Sequence, residues 1–167
     1  AFGRDLASLL QPQARQTALD ELDGFGVNVI LIRAVPHKMV YDRTKFFVEA
    51  GKPVEIIFEN SHIMTHNLLV TTPGAMAEVG QAAEKMATQP DAFARNFVPD
   101  LPKVLFATKM ISPGQVQSLT FAAPDDTGSY PYVCTFPGHW RTMNGTMEVG
   151  ANLREHRDAQ LAAEQSI

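Results

Sequence analysis

The residues best suited to chemistry in this 167-residue chain lie together on one short segment. Cys134, the chain's only cysteine, is followed by His139 and then by Met143. A second histidine, His66, lies well upstream and directly precedes Asn67. A thiolate and two imidazoles in a plane, with a weak thioether on the axis, are the ligands of a mononuclear blue-copper site. The residue types therefore predict one copper ion bound by four side chains: His66, Cys134, His139 and Met143.

Other cofactors and reactions find less support in the sequence. Structural zinc sites favour several thiolates and paired Cys-x-x-Cys spacing. A binuclear copper centre needs two cysteines and c-type haem needs Cys-x-x-Cys-His, so a single cysteine excludes both within this chain. No Gly-rich phosphate loop, H-E-x-x-H or G-x-S-x-G occurs, which leaves hydrolysis and phosphoryl transfer without support.

Composition and charge describe an ordinary globular domain. With 45% hydrophobic residues the chain is long enough for one domain with a sizeable core. The net charge is -4 and the basic residues are scattered, which predicts neither a nucleic-acid groove nor an anionic-membrane patch. No apolar run of about 18 residues could span a bilayer. The sequence begins at Ala1 without a signal pattern, so we expect a processed protein or a domain of a longer one.

Period-two apolar patterns predict a sheet protein with one inserted helix. Strands are expected at 27–32, 46–48, 54–58, 66–70, 105–108, 116–121, 130–134 and 144–149, with His66 at the start of the fourth. Met76, Val79, Ala83 and Met86 recur at helical spacing after a Pro-Gly turn, which predicts a helix near 74–88. Helical extensions are expected at 1–25 and 151–167, on either side of a β domain at 26–150.

The stretch from about 27 to 149 resembles the cupredoxins, and within them the azurin and auracyanin branch. The motifs that carry the resemblance are Cys134-Thr135-Phe136-Pro137-Gly138-His139, Met143-Asn144-Gly145 and His66-Asn67. The C-x4-H-x3-M spacing is that of an azurin-like ligand loop. This resemblance implies an all-β Greek-key sandwich and one type 1 copper. Azurins usually carry a disulfide, which a chain with one cysteine cannot form.

The resemblance also implies roles for the residues around the ligands. Asn67 is expected to bridge the two ligand segments by bonding Thr135. The backbone amides of Asn67 and Phe136 are expected to point at the Cys134 sulfur, where hydrogen bonds tune the metal. The carbonyl of Thr65 is a candidate for the second axial position, although azurins have glycine there.

In this family electrons leave through the exposed edge of the downstream histidine, which is His139 here. The resemblance surrounds it with an apolar patch for a redox partner, formed by Met64, Pro137, Gly138 and Trp140. Two roles remain open for Trp140: docking of that partner, or packing against the rim of the barrel. His37 and His156 are expected at the surface, and an auxiliary metal or proton-linked role stays open for His62.

The function implied is one-electron transport, and not enzyme catalysis. We expect a monomer, soluble or tethered, that serves protein redox partners such as cytochromes or oxidases, in the periplasm or elsewhere outside the cytoplasm. One alternative is a cupredoxin module of a larger multidomain redox enzyme. Type 1 domains of multicopper oxidases commonly have histidine beside the copper cysteine, whereas Val133 and Thr135 flank Cys134. Copper storage or delivery is the other alternative, and it predicts a solvent-open site.

Overall fold

The architecture comes from a computed structural model that describes residues 28–152. The helical extensions predicted at both ends lie outside this range, apart from residues 151 and 152. Within it, the elements in chain order are β1 (Asn28–Ala34), β2 (Lys45–Glu49), β3 (Pro53–Asn60), β4 (Leu69–Thr71), α1 (Met76–Met86), β5 (Val104–Ala107), β6 (Val116–Ala122), β7 (Gly128–Val133), a 3₁₀ turn (His139–Arg141) and β8 (Asn144–Gly150).

The strands form two sheets that enclose one main core. The smaller sheet has the order β1-β3-β6, and the larger has the order β2-β8-β7-β4-β5. Strands β1 and β3 are parallel, as are β2 and β8, while the other pairs are antiparallel. Ile56 and Phe58 of the smaller sheet share a buried cluster with Val70, Tyr132 and Met147 of the larger sheet. The predicted β-sandwich is therefore confirmed.

Alternating side chains explain which face of each strand is buried. In β8, Gly145, Met147 and Val149 are buried, and the residues between them are partly exposed. The same two-residue alternation applies to β4 and β7. Val70 and Tyr132 face the sandwich core, whereas their neighbours Leu69 and Val133 belong to a second buried cluster. Since successive strand residues point to opposite faces, β4 and β7 have an apolar outer face that needs its own cover.

Helix α1 supplies that cover. Val79 of the helix joins Leu69 and Val133 in the second cluster, with Trp140 packed against it. Glu78 lies in the first turn and Lys85 in the last, where each charge is favourable to the helix dipole. The inserted helix predicted near 74–88 is confirmed, and it lies over the strand that leads into the ligand loop.

The fourth strand begins later than predicted. His66 is not its first residue, because β4 starts at Leu69 and His66 forms an isolated antiparallel bridge with Ile111. Between them, at Asn67 and Leu68, side chains take part in the backbone hydrogen bonding, and the Leu68 carbonyl also accepts from the Thr108 amide at 2.9 Å. The Tyr41 hydroxyl donates to the Asn67 carbonyl at 2.7 Å, and the Leu68 amide donates to Thr108 Oγ1 at 2.9 Å.

Candidate metal centre

Three potential metal ligands from distant parts of the chain meet in the protein interior. His66 lies on the bridge before β4, Cys134 directly follows β7, and His139 begins the 3₁₀ turn. The Cys134 sulfur is 3.7 Å from His66 Nδ1 and 3.6 Å from His139 Nδ1. All three ligand atoms lie within 4.8 Å of one another. The exposed fractions of the three residues are 0%, 0% and 6%.

These separations fit a single bound metal ion. For bonds of about 2.3 Å to sulfur and about 2.0–2.1 Å to nitrogen, angles from tetrahedral to trigonal place the two ligand atoms roughly 3.5–3.8 Å apart. The observed distances of 3.6 and 3.7 Å lie in that interval. One thiol with two imidazoles is also a donor set that suits copper.

The ligand loop is a compact structure closed by its own backbone. The Cys134 amide donates to the Met143 carbonyl at 3.0 Å, and the Met143 amide donates to the His139 carbonyl at 2.8 Å. Gly138 has φ of 85°, a left-handed conformation that costs glycine little, and it turns the chain into the 3₁₀ turn. Met143 is fully buried in the same cluster as Cys134. Its axial role stays a prediction.

Burial keeps the thiol protonated when no metal is bound. Loss of solvation raises the pKa of Cys134 to about 12, although backbone hydrogen bonds from Asn67 and Phe136 oppose the rise by favouring the thiolate. A metal must therefore displace a proton from the sulfur, so metal affinity increases with pH. These two hydrogen bonds come from the same backbone amides, those of Asn67 and Phe136, that the resemblance directs at the Cys134 sulfur.

The two imidazoles are neutral in the folded protein. Burial, followed by the nearby His139 and His62, lowers the pKa of His66 to about 3. Burial, followed by His62, lowers the pKa of His139 to about 4. At neutral pH both rings therefore keep a free lone pair, which is the form that binds metal.

Asn67 joins the two ligand segments. Its Nδ2 donates to Thr135 Oγ1 at 2.8 Å, and its Oδ1 accepts from the Thr135 amide at 2.8 Å. The same Nδ2 donates to the Asn96 carbonyl at 2.9 Å, which adds the chain after α1 to the network. Asn67 and Thr135 are completely buried, so these bonds are not in competition with water.

The surface near the site includes a small part of His139. The residue is 6% exposed, and Phe136 packs on its ring with centroids 4.6 Å apart. The exit of electrons through its exposed edge stays a prediction. Two exposed apolar side chains lie on the loop before His66, where Ile63 is 72% and Met64 37% exposed. Thr65, which follows them, is half-buried.

Trp140 packs on α1. Its indole lies over Gly80, where a Cβ atom would come within 2.3 Å of the ring, and its Nε1 donates to Glu84 Oε1 at 3.0 Å. Arg141 also pairs with Glu84 and lies 4.6 Å from the centre of the indole. Of the two roles left open, packing is the observed one, and it is against the helix; the docking role stays a prediction.

His62, for which an auxiliary metal or proton-linked role is open from the sequence, lies beside a ligand candidate. His62 is only 6% exposed, and its Nδ1 lies 3.0 Å from Nε2 of the ligand candidate His66. Its position four residues before His66 was the available signal, but that spacing has no fixed meaning in a loop. His37 is exposed, as predicted, and His156 lies outside the described residues.

Comparison with known proteins agrees with this geometry. Residues 29–150 match the sequence profile of the family described as copper binding proteins, plastocyanin/azurin family. The chain belongs to this family. Auracyanin-A of Chloroflexus aurantiacus is 30% identical over 128 residues, which are 75% of this chain and 76% of that protein. Auracyanin-B of the same organism is 35% identical over 125 residues, which are 71% of this chain but only 50% of that protein.

A solved structure shows the same similarity in three dimensions. The dithionite-reduced auracyanin of Roseiflexus castenholzii has a TM-score of 0.65 and 30% sequence identity, with coverage of 74% of this chain and 97% of that one. The cupredoxin fold and the resemblance to the azurin and auracyanin branch are therefore confirmed. So is the predicted cofactor, one type 1 copper ion. None of the helices in the described part of the chain has the length and apolar character of a transmembrane segment.

Proposed function

We propose that this protein carries single electrons between protein partners by means of one type 1 copper ion. Proteins of the plastocyanin/azurin family are electron carriers and not enzymes. The observation that carries the proposal is the convergence of one thiol and two neutral imidazoles within 4.8 Å, all three on buried residues. The residues that would hold the copper are His66, Cys134 and His139, with Met143 as a weaker fourth ligand.

Copper supplies the one-electron Cu(II)/Cu(I) couple, and the chain supplies a site that changes little between the two states. Asn67 binds both ligand segments through Thr135, which limits their relative movement. The amides of Asn67 and Phe136 stabilise negative charge on the Cys134 sulfur. A site held in this way needs little rearrangement when an electron enters or leaves.

The weaker donors of the site would help to set the reduction potential of the copper. The thioether of Met143 would be a weak fourth donor to the copper, and the Thr65 carbonyl is a candidate for a further donor. In blue-copper sites the axial ligand and the hydrogen bonds around the sulfur tune the reduction potential. Complete burial of Met143 supports its assignment, because a buried thioether is held in place by packing.

The proposal also includes the partners and the setting. Redox proteins such as cytochromes or oxidases would dock on the apolar patch, for which the exposure of Ile63 and Met64 beside His66 is the support. The functional unit is the cupredoxin domain at 26–150, acting as a monomer outside the cytoplasm, as in a periplasm. Copper storage is less well supported, because a storage site should be open to solvent and these ligands are buried.

A copper titration of the metal-free protein tests the proposal. One equivalent of Cu(II) should produce an intense thiolate-to-copper absorption band and narrow copper hyperfine splitting in electron paramagnetic resonance. Ascorbate should bleach the band and reoxidation should restore it. The Cys134→Ser variant is the control and should lose the intense band. Weak spectra of ordinary Cu(II) in the unaltered protein would refute a type 1 electron-transfer site.

A further inference from the structure

A buried histidine that is not itself a proposed ligand contacts the ligand His66. His62 Nδ1 lies 3.0 Å from His66 Nε2, and the backbone N–H of Met64 donates to the same nitrogen at 3.2 Å. The His62 and His66 rings meet edge to face, with centroids 4.9 Å apart. His62 therefore contacts the ring nitrogen of His66 that is remote from Cys134.

The Met64 amide determines where the protons are. A backbone N–H can only donate, so His62 Nδ1 must be the unprotonated acceptor nitrogen. His66 Nε2 faces the same acceptor and must therefore carry the proton of its ring. The remaining nitrogen of neutral His66 is Nδ1, whose lone pair faces the Cys134 sulfur at 3.7 Å. These contacts select one tautomer of His66, and it is the one that can bind metal.

We propose that His62 is a positioning residue, which fixes the tautomer and ring orientation of His66 before the metal arrives. This inference rests on the proposed function, because it takes His66 as a copper ligand. Histidine ligands usually donate their second N–H to a carboxylate, a carbonyl or water. Here the acceptor is a neutral imidazole, which orients the ligand without placing a negative charge in the buried site.

The loop around His62 is built to hold that ring. Asn60, which is completely buried, accepts from the His62 amide at 3.0 Å. Its Nδ2 donates to the Met64 carbonyl at 2.8 Å and to the Ile111 carbonyl at 2.9 Å. Ile111 is also the bridge partner of His66. One asparagine thus connects the positioning histidine to the strand segment that carries the ligand.

Nitrogen NMR of the metal-free, ¹⁵N-labelled protein tests the tautomer directly, without copper. At neutral pH, long-range ¹H–¹⁵N correlations should show His66 only with Nε2 protonated and His62 with Nδ1 unprotonated. The His62→Leu variant should lose this selection and show both tautomers of His66. A His66 ring protonated at Nδ1 in the unaltered protein would overturn the inference.

Metal binding supplies the second measurement. Loss of the acceptor in His62→Leu should weaken Zn(II) binding by about 10–100-fold, since partners of ligand histidines typically have effects of that size. His62→Gln retains a side-chain acceptor and should recover most of the affinity. His37→Asn removes an exposed histidine and should change nothing.

Equal Zn(II) affinity in all three variants would refute the positioning role. If His62→Leu does not fold, two other measurements test the positioning role: the tautomer of His66 in the unaltered protein and the Zn(II) affinity of His62→Gln. Failure of the proposed function would look different, because the unaltered protein would then lack the intense copper band while its His66 tautomer stayed fixed.

Discussion

The buried imidazoles make the stability of the metal-free protein depend on pH in a calculable way. In the unfolded chain a histidine has a pKa of about 6.5. In the folded protein burial lowers the pKa of His66 to about 3 and that of His139 to about 4. Between these limits the unfolded state binds more protons, so the free energy of unfolding falls as pH falls. The contribution of the two histidines to the free energy of unfolding is fully present well above pH 6.5 and is lost progressively as the pH falls below it.

The magnitude follows from the proton count. Two histidines that each take up one proton on unfolding give a limiting slope of about 2.7 kcal/mol per pH unit. From pH 7 to pH 5 the predicted loss is about 4 kcal/mol, which is a large part of the 5–15 kcal/mol typical of a domain. Below about pH 4 the slope should diminish, because His139 then titrates in the folded state as well.

Urea unfolding of metal-free protein at a series of pH values between 4 and 8 measures this slope. Replacing His139 by Asn removes one of the two protons and should approximately halve it. Replacing the exposed His37 by Asn is the matched control and should leave the slope unchanged. A free energy of unfolding that stays constant between pH 7 and pH 5 would refute the assignment of both rings as buried and neutral.

Three further substitutions test the site and its support. Asn67→Ala leaves a buried backbone N–H without its acceptor and should lower the free energy of unfolding by about 1–3 kcal/mol, measured in urea, and alter the copper band; unchanged stability and spectrum would contradict the bridging role. Gly80→Ala drives a methyl group into the indole and should cost about 1–3 kcal/mol, whereas Gln81→Ala on the exposed face of α1 should cost little; equal effects would argue against that packing. Met143→Leu should retain the intense band and shift the reduction potential, measured by spectroelectrochemistry, and an unshifted potential would remove Met143 from the axis.

The parts of the site that could be predicted from sequence are those encoded locally. Cys134, His139 and Met143 lie within ten residues, so their types and spacing are visible without knowledge of the fold. The strands were predictable because the alternation of buried and exposed residues is a property of each strand alone. The inserted helix was found for the same reason, from its helical spacing.

What the sequence did not show depends on contacts between distant residues. The late start of β4 coincides with side-chain bonds from Tyr41 and Thr108 to the backbone of Asn67 and Leu68, and both side chains come from distant parts of the sequence. The packing of Trp140 depends on the absence of a side chain at Gly80, sixty residues earlier. The contact of the His62 ring with His66 depends on the conformation of the loop, which the sequence does not show.

The contact between Trp140 and α1 bears on how this protein can be re-engineered. The indole fills a notch that exists only because residue 80 is glycine, and Glu84 pairs with both Trp140 and Arg141. A ligand loop transplanted from a relative without these residues would leave the notch empty and Glu84 without its partners. The helix and the loop are therefore interlocking parts, and a useful graft would have to exchange both together.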